Sequence, residues 1–159
     1  MRLQNGALLP NLHLNHTAEE SMALNDIRSG ALIIAGSGMC SGGRIMHHLK
    51  HNVWRPECHV VITGFQARGT LGRALVDGAK HVRLWGETMR VKARVHTIGG
   101  LSAHADQAGL THWYAGFTNR PPLTLVHGEE DALDALSAHL KRTLKAPVTI
   151  AARGGSVTL

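Results

Sequence analysis

Two apolar runs without alternation limit the fold more than any other feature of this sequence. Ala31-Leu32-Ile33-Ile34-Ala35 and His59-Val60-Val61-Ile62-Thr63 each lead straight into a glycine-rich segment and then into a helical pattern. A continuous apolar run bounded by a turn reads as a strand buried on both faces of a parallel sheet. Two strand-glycine-helix units in succession predict βαβ connections with right-handed crossovers and ligand positions at the carboxyl ends of the strands. The expected fold class is α/β.

The glycine segments carry the first chemical signal. Gly36-Ser37-Gly38-Met39-Cys40-Ser41-Gly42-Gly43 opens onto a helix through Ile45, Met46 and Leu49. Such a loop presents backbone N–H groups and the positive end of the helix dipole, for which phosphate is the natural guest. It has neither the GK[ST] of a Walker A loop nor GxGxxG spacing. A turn required only by tight strand-to-helix geometry explains the same glycines. The second segment, Gly64 to Arg73, precedes a short helix through Leu75 and Val76. Arg68 and Arg73 near that strand end either meet phosphate or are ordinary solvated charges.

The remaining elements follow from local signals. Gly6, Pro10 and several Asn make residues 1–25 a poor setting for a long regular element. Thr17 and Glu20 form a capping-box pattern for a helix through Met22, Leu24 and Ile27 that ends near Gly30. Val82–Trp85 and Val91–Val95 alternate apolar with basic residues around Gly86-Glu87, which predicts a hairpin. Asp106 caps a helix through Ala108, Leu110, Trp113 and Tyr114, stopped at Pro121-Pro122. A strand over Leu123–Val126 delivers His127 to its end. The next helix carries Glu129, Glu130 and Asp131 at its start and Lys141, Arg142 and Lys145 at its finish, in line with the helix dipole. Leu133, Leu136, Leu140 and Leu144 form its core stripe, and Val148-Thr149-Ile150 is a last strand.

Histidine enters this scaffold at two breaks. His104 sits in Gly99-Gly100-Leu101-Ser102-Ala103-His104-Ala105-Asp106, among residues too small to crowd a ligand, and His127 is followed by Gly128 and Glu129. Histidines at such positions are a frequent way to build a catalytic or metal site in an α/β protein. The formal charge of +6 fits a polyanion footprint as well as a solvated surface. Cys40 and Cys58 lack CxxC spacing, so free thiols in a reducing cytoplasm are expected rather than a disulfide. The apolar runs are too short to span a membrane, and a soluble cytoplasmic chain is expected.

Five motifs in order now carry a resemblance. Thr17-Ala18-Glu19-Glu20-Ser21, Gly36-Ser37-Gly38-Met39, Gly64-Phe65-Gln66-Ala67-Arg68-Gly69-Thr70-Leu71-Gly72, Ser102-Ala103-His104-Ala105-Asp106 and Leu125-Val126-His127-Gly128-Glu129 together resemble the β-CASP branch of the metallo-β-lactamase superfamily, a group of RNA-processing nucleases. The resemblance covers nearly the whole chain. It implies the C-terminal part of a β-CASP domain, with a parallel sheet and βαβ units, over residues 1–94. Residues 95–159 would then be the C-terminal segment of the metallo-β-lactamase αββα core. It further implies that His104 is the catalytic histidine beside the metal centre, as general acid or as a stabiliser of the scissile phosphate, and that His127 is a zinc ligand. Gly36, Ser37 and Gly38 would hold phosphate in the RNA channel, with Ser102 joining them and Arg68 added from its place at a strand end. Phosphodiester hydrolysis needs a metal-activated water, a clamp on the phosphate and a proton for the leaving oxygen, which such a set addresses.

The sequence also departs from that family. Its enzymes hold two zinc ions mainly through a His-x-His-x-Asp-His signature, and no such signature occurs here. His13-Leu14-Asn15-His16 has the wrong spacing, and His47, His48 and His51 offer an i, i+4 pair without a third ligand, so a structural or surface role is expected for them. One ligand, His127, does not hold zinc alone. Zinc is therefore expected in the complete enzyme and not stoichiometrically in this chain. Two functional readings remain. The first is the C-terminal portion of a zinc-dependent ribonuclease, inactive without its N-terminal half. The second is a stand-alone, non-catalytic module that binds RNA or associates with itself. RNA is the expected partner, together with the N-terminal half or a second copy of the chain, and either reading leaves an apolar face exposed.

Overall fold

The computed structural model describes residues 11–102 and 104–156. Gly6, Pro10 and the Ala103 of the Ser-Ala-His-Ala-Asp motif lie outside the described residues. The chain divides into two compact units, Met1–Leu101 and Ser102–Leu159.

The first unit contains α1 (Ala18–Ala23), α2 (Arg44–Asn52), β1 (His59–Ile62), α3 (Leu71–Val76), β2 (His81–Leu84), β3 (Glu87–Arg90) and β4 (Arg94–Thr97). Thr17 caps α1 as its sequence predicts: its hydroxyl accepts from the Glu20 N–H at 3.2 Å while the Glu20 carboxylate accepts from the Thr17 N–H at 3.1 Å. The helix is shorter than expected. A single 3₁₀ turn, Leu24–Asp26, finishes it and Ile27 is already extended, at a point where Asn25 and Asp26, both poor helix formers, follow each other. Arg44, at the start of α2, donates to the carbonyls of Asn15 and His16 at 2.6 Å each, which ties the entry of α1 to α2.

Ala31–Ala35 does not form the expected buried strand. It is extended chain without a ladder, with Leu32 and Ile34 exposed by 81% and 87%. A strand exists only by pairing, and no segment among the described residues pairs with this one. The second run does form a strand, β1, but not one buried on both faces. Ile62 is buried while His59 and Val61 face solvent, the alternation of a sheet covered on one side.

β1 pairs in parallel with β4, Val60 opposite Val95 and Ile62 opposite Thr97. β2 and β3 form an antiparallel hairpin around Trp85-Gly86, Leu84 opposite Glu87. The turn is one residue earlier than the expected Gly86-Glu87, and its second strand is Glu87–Arg90 rather than Val91–Val95. The N–H groups of Lys92 and Ala93 both donate to the Val53 carbonyl at 2.9 Å. That crossing ends the hairpin and sets β4 beside β1. The first unit's crossover between parallel strands thus contains α3 and the whole hairpin. Leu49, Val53, Ile62, Leu75, Val82 and Leu84 close around Cys40 as its core.

The second unit contains α4 (Gln107–Ala115), β5 (Leu123–Leu125), α5 (Glu130–Leu144) and β6 (Val148–Ile150). β5 and β6 pair in parallel, Leu123 opposite Val148, so β5–α5–β6 is a βαβ unit. α4 stops before the proline pair because the Arg120 guanidinium donates to the carbonyls of Ala115 and Phe117 at 2.9 and 2.6 Å, satisfying groups at the helix end. Tyr114, Leu140, Ala146 and Val148 form the core, with Leu136 and Leu144 packed against it. The Tyr114 hydroxyl donates to the Pro121 carbonyl at 2.7 Å. Among the described residues no helix is long and apolar enough to cross a membrane.

Candidate functional site

The second unit presents both singled-out histidines at breaks between elements. The His104 N–H donates to the Ser102 hydroxyl at 3.3 Å, which folds the backbone back on itself just before α4. Two residues on, Asp106 caps that helix by accepting from the Gly109 N–H at 2.8 Å. A Cβ on Gly109 would stand 3.3 Å from the Ala105 Cβ, so Ala105 lies close against the first turn of α4. Ser102 and His104 are both exposed.

His127 lies two residues beyond β5 with φ +60°, a left-handed conformation for which histidine is among the more tolerant side chains. The following Gly128 rests on α5: a Cβ there would lie 3.0 Å from Leu133 Cγ. Leu133 thus anchors the turn that carries His127. The imidazole is exposed, and no hydrogen bond or ring contact joins it to His104 among the described residues.

In the first unit the two glycine segments clamp each other. Ser37 donates to the Gly42 carbonyl through both N–H and hydroxyl at 3.2 Å, Cys40 N–H donates to the Ser37 carbonyl at 3.1 Å, and Ile45 N–H to the Gly36 carbonyl at 3.0 Å. Gly43 has φ +70°, and a Cβ on it would meet the Gly36 carbonyl oxygen at 2.7 Å, so this glycine is obligatory. Gly36, Ser37 and Gly38 remain exposed. Gln66, which the sequence reading left without a role, is buried in the second segment. Its amide donates to the carbonyls of Gly38 and Phe65 at 2.9 Å each. Gly72 N–H donates to the Met39 carbonyl at 3.0 Å, and a Cβ on Gly72 would collide with Gln66 Oε1. Gln66 therefore fixes where Gly38 sits. The only sequence signal for it was an amide side chain inside a glycine-flanked apolar turn.

The cationic candidates separate. Arg68 is exposed at that turn. Arg73, the other arginine expected near phosphate, forms a bidentate ion pair with Asp77 one helical turn on. His48 of the histidine-rich helix is buried, its Nε2 3.1 Å from the Ser21 hydroxyl, and joins α1 to α2.

A zinc ion in a catalytic site takes about three protein ligands. Among the described residues no group of three or more His, Cys, Asp or Glu could hold a metal ion.

Two domain families match this chain. Residues 3–75 match the Beta-Casp domain, and residues 88–151 match the Zn-dependent metallo-hydrolase RNA specificity domain. The chain belongs to the β-CASP RNA-processing metallo-β-lactamase family. Among curated relatives of this β-CASP chain, Ribonuclease TTHA0252 of Thermus thermophilus is 45% identical over 123 residues, 77% of this chain and 28% of that protein. Transcription termination factor FttA of Pyrococcus abyssi is 36% identical over 132 residues, 78% of this chain and 20% of the factor. An RNase J-like protein of Methanocaldococcus jannaschii is 31% identical over 137 residues, 86% of this chain and 32% of that protein. The β-CASP chain thus spans between about a fifth and a third of the length of these relatives.

Proposed function

We propose that this chain supplies the phosphate-holding side and the catalytic histidine of a zinc-dependent ribonuclease that hydrolyses RNA phosphodiester bonds, and that it is inactive alone. The observation that carries the reading is His104: an exposed imidazole whose N–H donates to the Ser102 hydroxyl, just ahead of the helix that Asp106 caps, in a chain of the β-CASP family. In this reading His104 gives a proton to the leaving oxygen or a hydrogen bond to the scissile phosphate. Gly36, Ser37, Gly38 and Ser102 hold non-bridging phosphate oxygens, Arg68 adds charge, and Gln66 positions Gly38. His127 contributes one donor to a zinc centre whose other ligands come from outside this chain. In this reading the β-CASP portion runs to Arg94 and the returning metallo-β-lactamase segment follows it.

The test is mutagenesis in the complete enzyme. His104→Ala should abolish turnover with zinc content and folding retained, whereas His127→Ala should lower zinc content as well. Full activity of the His104 variant would sink the assignment. An in-frame His-x-His-x-Asp-His signature in the coding sequence upstream of Met1 supports the ribonuclease portion, and a genuine start codon with its own promoter at Met1 supports a stand-alone module. The exposure of Leu32 and Ile34 favours self-association if that second reading holds.

A further inference from the structure

Two histidines outside the site already described meet across the parallel strands of the first unit. His59 Nδ1 lies 2.8 Å from His96 Nε2. The register sets His59 opposite Arg94 and Val61 opposite His96, so these four side chains share one face and the two imidazoles are diagonal neighbours on it. That face is open: all four residues are exposed, whereas Ile62 on the other face is buried in the core.

The rings lie 14° from parallel with their centroids 5.0 Å apart. A centroid separation that matches the nitrogen gap plus the two ring radii means that the rings meet edge to edge, nitrogen to nitrogen, close to one plane. One ring donates its N–H and the other accepts with a lone pair. The chain's other histidines are placed differently: His48 is buried on Ser21 and His47 lies against the Trp85 ring.

Two imidazole nitrogens at this distance are also spaced as neighbouring ligands of one ion. With metal–nitrogen bonds of about 2.0–2.1 Å, adjacent ligands stand about 2.8–3.0 Å apart in a square-planar or tetragonal arrangement and about 3.3–3.4 Å apart in a tetrahedral one. The observed 2.8 Å matches the first, which is the geometry of Cu²⁺ and Ni²⁺ rather than of zinc. We propose that His59 and His96 form an accessory two-donor site for such an ion on the outer face of β1 and β4, Cu²⁺ being held ahead of Ni²⁺ and water filling the other positions. The site uses none of the residues assigned to phosphodiester hydrolysis.

Binding exchanges the shared hydrogen for the ion. The donating ring passes, through solvent, to the tautomer that carries its hydrogen on the outer nitrogen, and both rings turn until their lone pairs point to one side. The pair as a whole loses no proton, and nothing is oxidised or reduced. The strands keep their register, and the rings are exposed, so side-chain torsions alone change. Two donors make an open, exchangeable site: among the described residues no third His, Cys, Asp or Glu joins them. Arg94, on the same face opposite His59, works against any dication there.

The test titrates CuCl₂ into the full chain in a non-coordinating buffer, followed by equilibrium dialysis and electron paramagnetic resonance. The tightest site of the wild type should take one Cu²⁺ and show two nitrogen donors in a tetragonal field. His59→Ala and His96→Ala should each weaken that site by at least the roughly tenfold that loss of a mere outer-shell partner costs a metal centre. Arg94→Gln should tighten it by removing a positive charge from the same face. His51→Ala, in the helix with the i, i+4 pair, should leave it unchanged. Circular dichroism of each variant separates these effects from unfolding. Unchanged copper affinity in both His59→Ala and His96→Ala, a loss confined to His51→Ala, or a wild-type spectrum with a single nitrogen donor would overturn the cross-strand site. Because His104 and His127 are untouched in every variant, either outcome leaves the ribonuclease reading to its own test.

Discussion

Burial beside Ser21 holds the His48 imidazole below its ordinary value of 6.5, and the nearby positive groups His47, His51 and Arg44 add to the shift. A histidine with a lowered folded value takes a proton less readily in the folded chain than in the unfolded one. Above 6.5 both states carry it neutral and the contact contributes its full stability. As the pH falls through 6.5 toward the lower folded value, the unfolded chain takes up the proton first and stability is lost. Urea midpoints at neutral pH and at about pH 5 should therefore differ more for the wild type than for His48→Leu. Equal differences would mean that His48 does not carry this dependence. The contact was not legible in the sequence, where His47, His48 and His51 formed only a helical cluster; the serine that decides which one is buried lies in another helix. The bend at His104 was legible, because Ser102, Asp106 and the small residues around them act within a few positions of each other.

At the scale of elements the same distinction holds. The Thr17–Glu20 capping box, the Asp106 cap and the Leu136, Leu140, Leu144 stripe are local, and each appears where the sequence puts it. Strand pairing is not local. Nothing in Val91–Val95 states that the chain leaves the hairpin for the Val53 carbonyl, and nothing in Ala31–Ala35 states that it lacks a partner among the described residues. That unpaired run exposes the large apolar side chains Leu32 and Ile34, a patch suited to association. The chain should show concentration-dependent self-association by light scattering, reduced in Leu32→Lys/Ile34→Lys; a wild-type monomer at every concentration would refute this. The glycine loop makes a second element-scale prediction. Gly43→Ala forces a side chain onto φ +70°, ψ −168°, a region essentially reserved for glycine, at about 1–3 kcal/mol, and against the Gly36 carbonyl oxygen. It should lower the urea midpoint by at least that much, whereas Gly36→Ala, with open space around it, should not.

At the scale of the whole molecule, the proposed function asks which parts of a hydrolytic centre one chain would contain. The motifs recognised in the sequence reach from Thr17 to Glu129, and the two family matches together take in residues 3–75 and 88–151. The family was therefore legible from motif order alone. A metal centre was not, because zinc requires about three protein donors converging on a point, and this chain brings no such group together among the described residues. The purified chain, loaded with excess zinc and then dialysed, should retain less than one zinc per molecule by elemental analysis. Its background RNA cleavage should be the same with and without the His104→Ala substitution, since a proton donor accelerates a step only where a nucleophile has been activated. Stoichiometric zinc lost in His127→Ala, together with cleavage lost in His104→Ala, would instead make the isolated chain a working nuclease and require that its ligands converge in a way that sequence spacing does not disclose.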